Sequence, residues 1–515
     1  MKKYLAIFLF VTVFFLGRLM AAIYGGAEEE IFFNTDRTQT SSSLDSDIRL
    51  RSMGGLNVAV EDESNKIGIF KTLGSPAGLP LDYETPKAEL SIFFEKGSLD
   101  DNTTHDDSFT GETYETQQTQ FDGMGVVPFE TPQAGKGAFA VAFSATPGEK
   151  DYSQEWLDST IADSYEDEPK QRAFFAGYGH QWGKFLGGIS YTTADEDEED
   201  IEFFVGSTQN RAVDETKTKA VKPSLGYIFQ PDQNQKLIVT FYPRILNYEN
   251  TVKAIAPSLP LDVEAVTDGD GVYYVGGLTY SFLEIFKGTL FVQKGELDGD
   301  ITTTTSGSVT KEDWELDHTS FGLRGILRPE TWPVSFGLSY KRAQDDGDLF
   351  NSSNVKTSGA ESTESILKLG VTGHFPEEKG LAGLEVHVID EEDEDTVLTT
   401  DPSSNEERKG YQFSLGGEYR VLDPLWVRGG YRIRNVSEDP KGDASELDTT
   451  TNEINLGLEY EFEDLGSVSL AYAYTQIEND GNQSATEALQ KDEEEFKGHS
   501  LMLVGKYRFG KRQED

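Results

Sequence analysis

Between Asn452 and Phe462 every second residue is apolar: Ile454, Leu456, Leu458, Tyr460 and Phe462 alternate with Glu453, Asn455, Gly457, Glu459 and Glu461. A period of two is that of a strand with one apolar and one polar face. The next run sets Val468, Leu470, Tyr472 and Tyr474 against Ser467, Ser469, Ala471 and Ala473. Only Glu463 to Gly466 separates the two runs, so together they predict a tight hairpin. The alternation recurs over Tyr411 to Val421, Leu425 to Ile433, Val334 to Tyr340 and Val272 to Phe282. Each run has about the ten residues that a tilted transmembrane strand requires.

The connections between these runs alternate in length. Short reversals are predicted at 181–184, 231–235, 283–284, 329–331, 376–379, 423–424 and 463–466. Long polar connections are predicted at 147–170, 195–217, 250–270, 297–313, 345–360, 391–407, 438–449 and 479–494. Tight periplasmic turns at one rim and extended external loops at the other are the pattern of an outer-membrane barrel. The predicted fold is therefore all-β, an antiparallel transmembrane β-barrel of about 18 strands, with about 14 to 16 as the alternative count. An even count returns both ends of the wall to the periplasmic side. Trp182, Trp332 and Trp426 lie at or beside short turns, where an interfacial aromatic girdle belongs.

Composition narrows the compartment and the chemistry. Lys2 and Lys3 precede an apolar run from Tyr4 to Leu16, and small residues follow at Ala21, Ala22 and Ala27. That order predicts a signal peptide over residues 1–22, and the apolar run falls short of the roughly 20 residues of a spanning helix. The expected organisation continues with a plug- or hatch-like segment over 23–86, the barrel over 87–510 and a periplasmic tail over 511–515. The chain has no cysteine, which excludes disulfides and thiolate metal sites. Its formal net charge of -46 disfavours a nucleic-acid partner. The expected partners are outer-membrane lipid and lipopolysaccharide, the outer-membrane assembly machinery and a small-molecule solute, in the outer membrane of a Gram-negative-type bacterium.

The stretch Arg51-Ser-Met-Gly-Gly-Leu-Asn-Val-Ala-Val-Glu-Asp-Glu-Ser, followed by Ser75-Pro-Ala-Gly-Leu79, resembles the N-terminal signature of the FadL-like outer-membrane family of long-chain fatty-acid and aromatic-hydrocarbon importers. The resemblance implies an N-terminal segment folded into the lumen as a hatch, with Gly54, Gly55, Pro76, Ala77 and Gly78 in it. Read from the residues alone, the glycines and Pro76 suit a compact plug or a plain turn before a strand. The chain departs from the family pattern in three places. Ser75 stands where the family has Asn, the strand count exceeds the family's, and the chain continues past Tyr507-Arg508-Phe509 through Gly510 to Asp515.

Charges inside the strands carry the remaining information. If Leu425, Val427, Tyr431 and Ile433 face lipid, Arg428, Arg432 and Arg434 face the lumen, joined by Arg420. Basic groups at the lipid midplane cost roughly 2–4 kcal/mol each. Glu418, Glu453, Glu459 and Glu461 on neighbouring strands face the same way, so the set is either a salt-bridged inner wall or a lining that selects solutes by charge. The carboxylate runs Asp195 to Asp200 and Asp390 to Asp395 fall on predicted external loops and could collect divalent cations; no other cofactor is expected. The six histidines show no zinc spacing, and neither a nucleophile elbow nor a phosphate loop occurs, so no enzyme is expected. The leading expectation is a FadL-like channel taking up hydrophobic or amphipathic small molecules. A water-filled porin for small polar solutes and a barrel component of an assembly or secretion system are the alternatives.

Overall fold

A computed structural model describes residues 48–53, 55–56, 58–59, 75–82, 88–101, 109–131, 135–156, 162–167, 170–204, 208–256, 261–283, 285–305, 308–329, 331–397, 404–441, 446–462, 465–482 and 491–509. The signal-peptide expectation, the tail over 511–515 and Gly54 lie outside the described residues.

Alternation over long runs leaves one way to pair every backbone group, a sheet that closes on itself. The strands are β1 (Ala88–Asp101), β2 (Phe109–Thr131), β3 (Gly135–Trp156), β4 (Ala162–Asp167), β5 (Lys170–Trp182), β6 (Phe185–Phe204), β7 (Thr208–Asp232), β8 (Gln235–Ala256), β9 (Leu261–Phe282) and β10 (Phe286–Thr305). They continue with β11 (Ser308–Leu327), β12 (Val334–Asn351), β13 (Lys356–His374), β14 (Gly380–Val397), β15 (Ser404–Leu422), β16 (Leu425–Lys441), β17 (Glu446–Glu461), β18 (Gly466–Asn482) and β19 (Lys491–Phe509). Apart from β4 and β5, each pairs antiparallel with its neighbours in the chain, and β1 pairs with β19 from Ala88↔Phe509 to Asp101↔Phe496, which closes the wall. β4 and β5 lie end to end in one wall position, in the same register against β3 and against β6. The wall therefore has 18 positions, as the alternation indicated.

The outward face carries an apolar belt. On β17 Ile454, Leu456, Leu458 and Tyr460 are exposed, and on β14 Leu384, Val386 and Val388, while the residues between them point inward and are mostly buried. On β10 the exposed Leu290 and Val292 give way to the exposed pair Lys294 and Glu296, which marks the belt's outer edge. About nine residues of strand, tilted about 40°, rise roughly 23 Å, the height of a membrane's apolar band. Beside the short turns Trp182, Phe185, Tyr227, Trp332, Phe375, Tyr419 and Tyr460 stand exposed as an aromatic rim. Trp426 does not join them. Val427 is exposed, so alternation turns Trp426 inward, where the Arg420 guanidinium lies 5.5 Å from its ring centroid.

The long connections are the main correction. Asp195 to Asp200 belongs to β6 and Asp390 to Asp395 to β14, so both carboxylate runs stand on strands rather than loops. Strands β6 to β19 run 16 to 25 residues, about twice the belt's height. Toward the outer ends of the strands both faces of the sheet meet water, so the apolar–polar alternation fades, while the ladder's hydrogen bonds continue regardless of side chain.

The ladder is interrupted in the middle of the β7–β8 junction. Between β7 and β8 the pairing passes from Val221↔Ile245 directly to Leu225↔Phe241. Pro223 and Pro243 fall opposite each other in that gap, and neither has an N–H to give.

Candidate functional site

Two short pieces of chain ahead of β1 sit inside the barrel, in the half of the wall nearest the short turns. The first begins with helix α1 (Ile48–Ser52) and runs to Ala59. The second holds the 3-10 turn Pro76–Gly78 and helix α2 (Leu79–Asp82). They are seated on opposite sides of the lumen: the first on β12 to β18, the second on β3 and β5 to β7.

Both seats are cut into the wall by missing side chains. A Cβ at Gly416 of β15 would strike the Met53 carbonyl, and one at Gly337 of β12 the Val58 carbonyl. At Gly457 it would strike the Ser52 side chain, and at Gly370 it would crowd Ala59. On the other side, Gly179 of β5 and Gly188 of β6 lie directly against Pro76 and Ala77. Glycine is unfavourable in a strand, but it lets another backbone approach closely. Within the first piece Gly55, at φ +79°, turns the chain back after α1 so that its N–H reaches the Leu50 carbonyl at 2.9 Å.

Apolar and polar contacts fix the pieces. Met53 and Leu56 pack with Leu381, Leu79 with Met124, Val126 and Phe175, and Ala77 with Leu186, Ile228 and Ile238. The Ala77 N–H donates to Ser224 Oγ at 2.8 Å, and the Val58 N–H to Glu385 Oε2 at 2.8 Å. Glu385 is itself buried, and its other oxygen lies 2.5 Å from His387 Nε2. Arg49 donates to both oxygens of Glu418, at 2.9 and 2.5 Å. Glu418 also accepts from Arg428 Nε at 3.0 Å, and Arg428 Nη2 donates to Glu459 at 2.5 Å. An ionic chain thus runs from α1 through β15 and β16 to β17. Charge-assisted bonds of this kind are the strong ones, and removing one partner of a buried pair leaves the other uncompensated.

The expected lumen charges are placed as follows. Glu418, Arg428 and Glu459 join the ionic chain, and Arg432 pairs with Glu453 at 2.6 Å beside it. Arg420 and Glu461 meet at 3.5 Å at the rim, both half exposed, with Arg420 Nε also donating to the Asp423 carbonyl. Arg434 stands further along β16, opposite Gln412 and Thr451. Pro76, Ala77 and Gly78 are all buried in the second seat. Arg49, Glu385, His387 and the seat glycines were not singled out from the sequence. Glu385 and His387 were readable, because they interrupt the apolar run Leu384, Val386, Val388 on its inward side. Among the described residues no cluster of His, Asp and Glu has the makings of a metal site.

No protein-family model matches the sequence, and no curated protein matches it. Solved structures similar to this chain include the ferric yersiniabactin uptake receptor of Yersinia pestis, at 7% identity over 83% of this chain and 81% of that one, with a TM-score of 0.44. The toluene transporter of Ralstonia pickettii is similar at 14% identity over 90% and 97% of the two chains, TM-score 0.34. A FadL homologue of Pseudomonas aeruginosa is similar at 11% identity over 89% and 96%, TM-score 0.34. Likenesses of this strength carry no argument about solute or partner.

Proposed function

We propose that the protein is an uptake channel of a Gram-negative-type outer membrane for hydrophobic or amphipathic small molecules, held shut near its short-turn end by the N-terminal segment. The observation that carries this reading is the seating of the described residues among 48–59, and of 75–82, in glycine-floored grooves of the inner wall, tied by Arg49 to Glu418 and by Val58 to Glu385. A segment so placed obstructs the lumen, and main-chain docking makes that obstruction reproducible. A polar inner wall and an apolar outer belt suit a solute that leaves water on one side of a bilayer and must be sheltered while crossing it.

The test is electrical and chemical. Purified protein in planar bilayers should show only small, infrequent openings, and removal of residues 48–82 should give large steady ones. Proteoliposomes of the intact chain should accumulate a radiolabelled apolar solute faster than empty vesicles. Large steady conductance from the intact chain would replace this reading with a water-filled porin.

A further inference from the structure

Cations on the inner wall follow a rule. Arg428 lies against Glu418 and Glu459, Arg432 against Glu453, and Lys341 against Glu364 at 2.6 Å. Arg244 breaks it. It is inward-facing on β8 and 3% exposed, yet it makes no ion pair among the described residues, and its Nε and Nη1 are buried without a hydrogen-bond partner. The chain has 91 acidic residues against 45 basic ones, so a carboxylate for Arg244 is not wanting in the composition. A second cation, Lys222, is buried on β7 within the stretch where the β7–β8 ladder is broken.

The surroundings are aromatic and donor-rich. Arg244 lies over the Tyr273 ring, 5.9 Å from its centroid, and the His318 ring is 5.5 Å from it. Gly295 makes room for the ring, since a Cβ there would overlap it. Gln293, 2% exposed, has an Nε2 with no hydrogen-bond partner. Above this level Leu246, Leu297 and Trp314 pack with Tyr273 as an apolar surface. A buried guanidinium and a buried amide with unused N–H groups call for an oxygen acceptor carrying negative charge, and the rings beside them for a flat apolar body.

We propose that Arg244, with Lys222 and Gln293, is a receptor on the inner wall for an aromatic carboxylate, the oxyanion lying on Arg244 and the ring against Tyr273. This rests on the uptake-channel reading and names the class of solute that the channel recognises. Arg244 would bind the charged head directly, Gln293 would donate to it, and Tyr273 would hold the ring and keep the guanidinium in place.

Titration calorimetry of the full chain in detergent, with benzoate, benzyl alcohol and acetate as probes, tests it. Benzoate should bind at least tenfold more tightly than benzyl alcohol, which has the ring without the charge, or acetate, which has the head without the ring. Arg244→Gln should weaken benzoate at least tenfold, and Arg244→Lys should recover part of the loss. Gln293→Ala, which leaves the cations in place, should weaken benzoate about threefold and serves if the arginine variants do not fold. Equal binding of benzoate and benzyl alcohol, equal binding of benzoate and acetate, or a folded Arg244→Gln variant that binds as the wild type does, overturns the proposal. If benzoate fails to bind while a neutral apolar solute still enters proteoliposomes, the aromatic-carboxylate site falls and the channel stands.

Discussion

Glu418 is the residue on which most of the docking chemistry converges, because it accepts from Arg49 of the N-terminal segment and from Arg428 of the wall. Removing it takes the two-oxygen acceptor from Arg49 and one of two carboxylates from Arg428, and loss of one partner from a buried pair costs about 3–5 kcal/mol. Removing Arg49 leaves Glu418 still paired with Arg428, so the loss there is that of hydrogen bonds to a charged group, about 1.5–3 kcal/mol. The chain has no cysteine, so Met53→Cys provides a single label site that is fully buried while the segment is seated. Maleimide labelling at that site should be slow in the parent, faster in Arg49→Ala and fastest in Glu418→Ala. Gly416→Val separates seat from wall: valine favours a strand, but its side chain occupies the space of the Met53 carbonyl. Labelling should become fast in that variant while the barrel's heat resistance on gels is unchanged or higher. Loss of heat resistance together with fast labelling would show that the glycine serves the wall instead.

At the scale of elements, the belt and the outer extensions obey different rules. Within the belt, Leu456 outward and Asn455 inward could be read from order alone, because lipid and lumen treat the two sets oppositely. Above it Asp300 of β10 faces Asp313 of β11, both in water, and no alternation announces a strand. That is why the stretches 195–217 and 391–407 read as loops although most of their residues belong to the wall. The Arg49 partnership was illegible for another reason: Glu418 is 369 residues away, and nothing local in Ile48 to Ser52 names it. Wall glycines were illegible because a glycine inside a strand looks only like a weak place. The Asp300–Asp313 pair has a measurable signature. The hydrogen bond to Asp300, then desolvation and the neighbouring charge, raise the Asp313 carboxyl above its ordinary value. A carboxyl raised in the fold stabilises it below the ordinary carboxylate range, and that contribution is lost as pH rises through the raised value. Amide exchange at the outer ends of β10 and β11, corrected for the intrinsic rate, should be slower near pH 4 than at pH 7, and Asp313→Asn should remove the difference. The β7–β8 junction offers a second check. Pro243→Val returns one N–H to the ladder, and a backbone hydrogen bond contributes about 0.5–1.5 kcal/mol. The variant should need more urea to unfold from vesicles; an unchanged midpoint would mean that the gap is closed by other means.

As a whole the molecule is a single closed sheet with three zones along its axis: an aromatic rim, an apolar belt and a tall polar wall that carries much of the acid. Closure leaves no free edge in lipid, where unpaired backbone groups are not tolerated. The belt is therefore the zone that tests membrane residence. Leu456→Arg, on its outward face, should lower folding stability into lipid vesicles by about 2–4 kcal/mol. The inward change Asn455→Arg, at the same height, should cost much less if the two faces differ as described. Equal penalties at the two positions would mean that both are packed against protein.

The glycine floors under Met53, Val58 and Pro76 have one more implication. A surface of bare α-carbons recognises the path of a chain, while the residues along it are recognised by the side chains around that floor. Part of the specification for the stopper is then written in the vessel, and a faithful copy of the native stopper would find no berth in a barrel whose inner glycines had been filled.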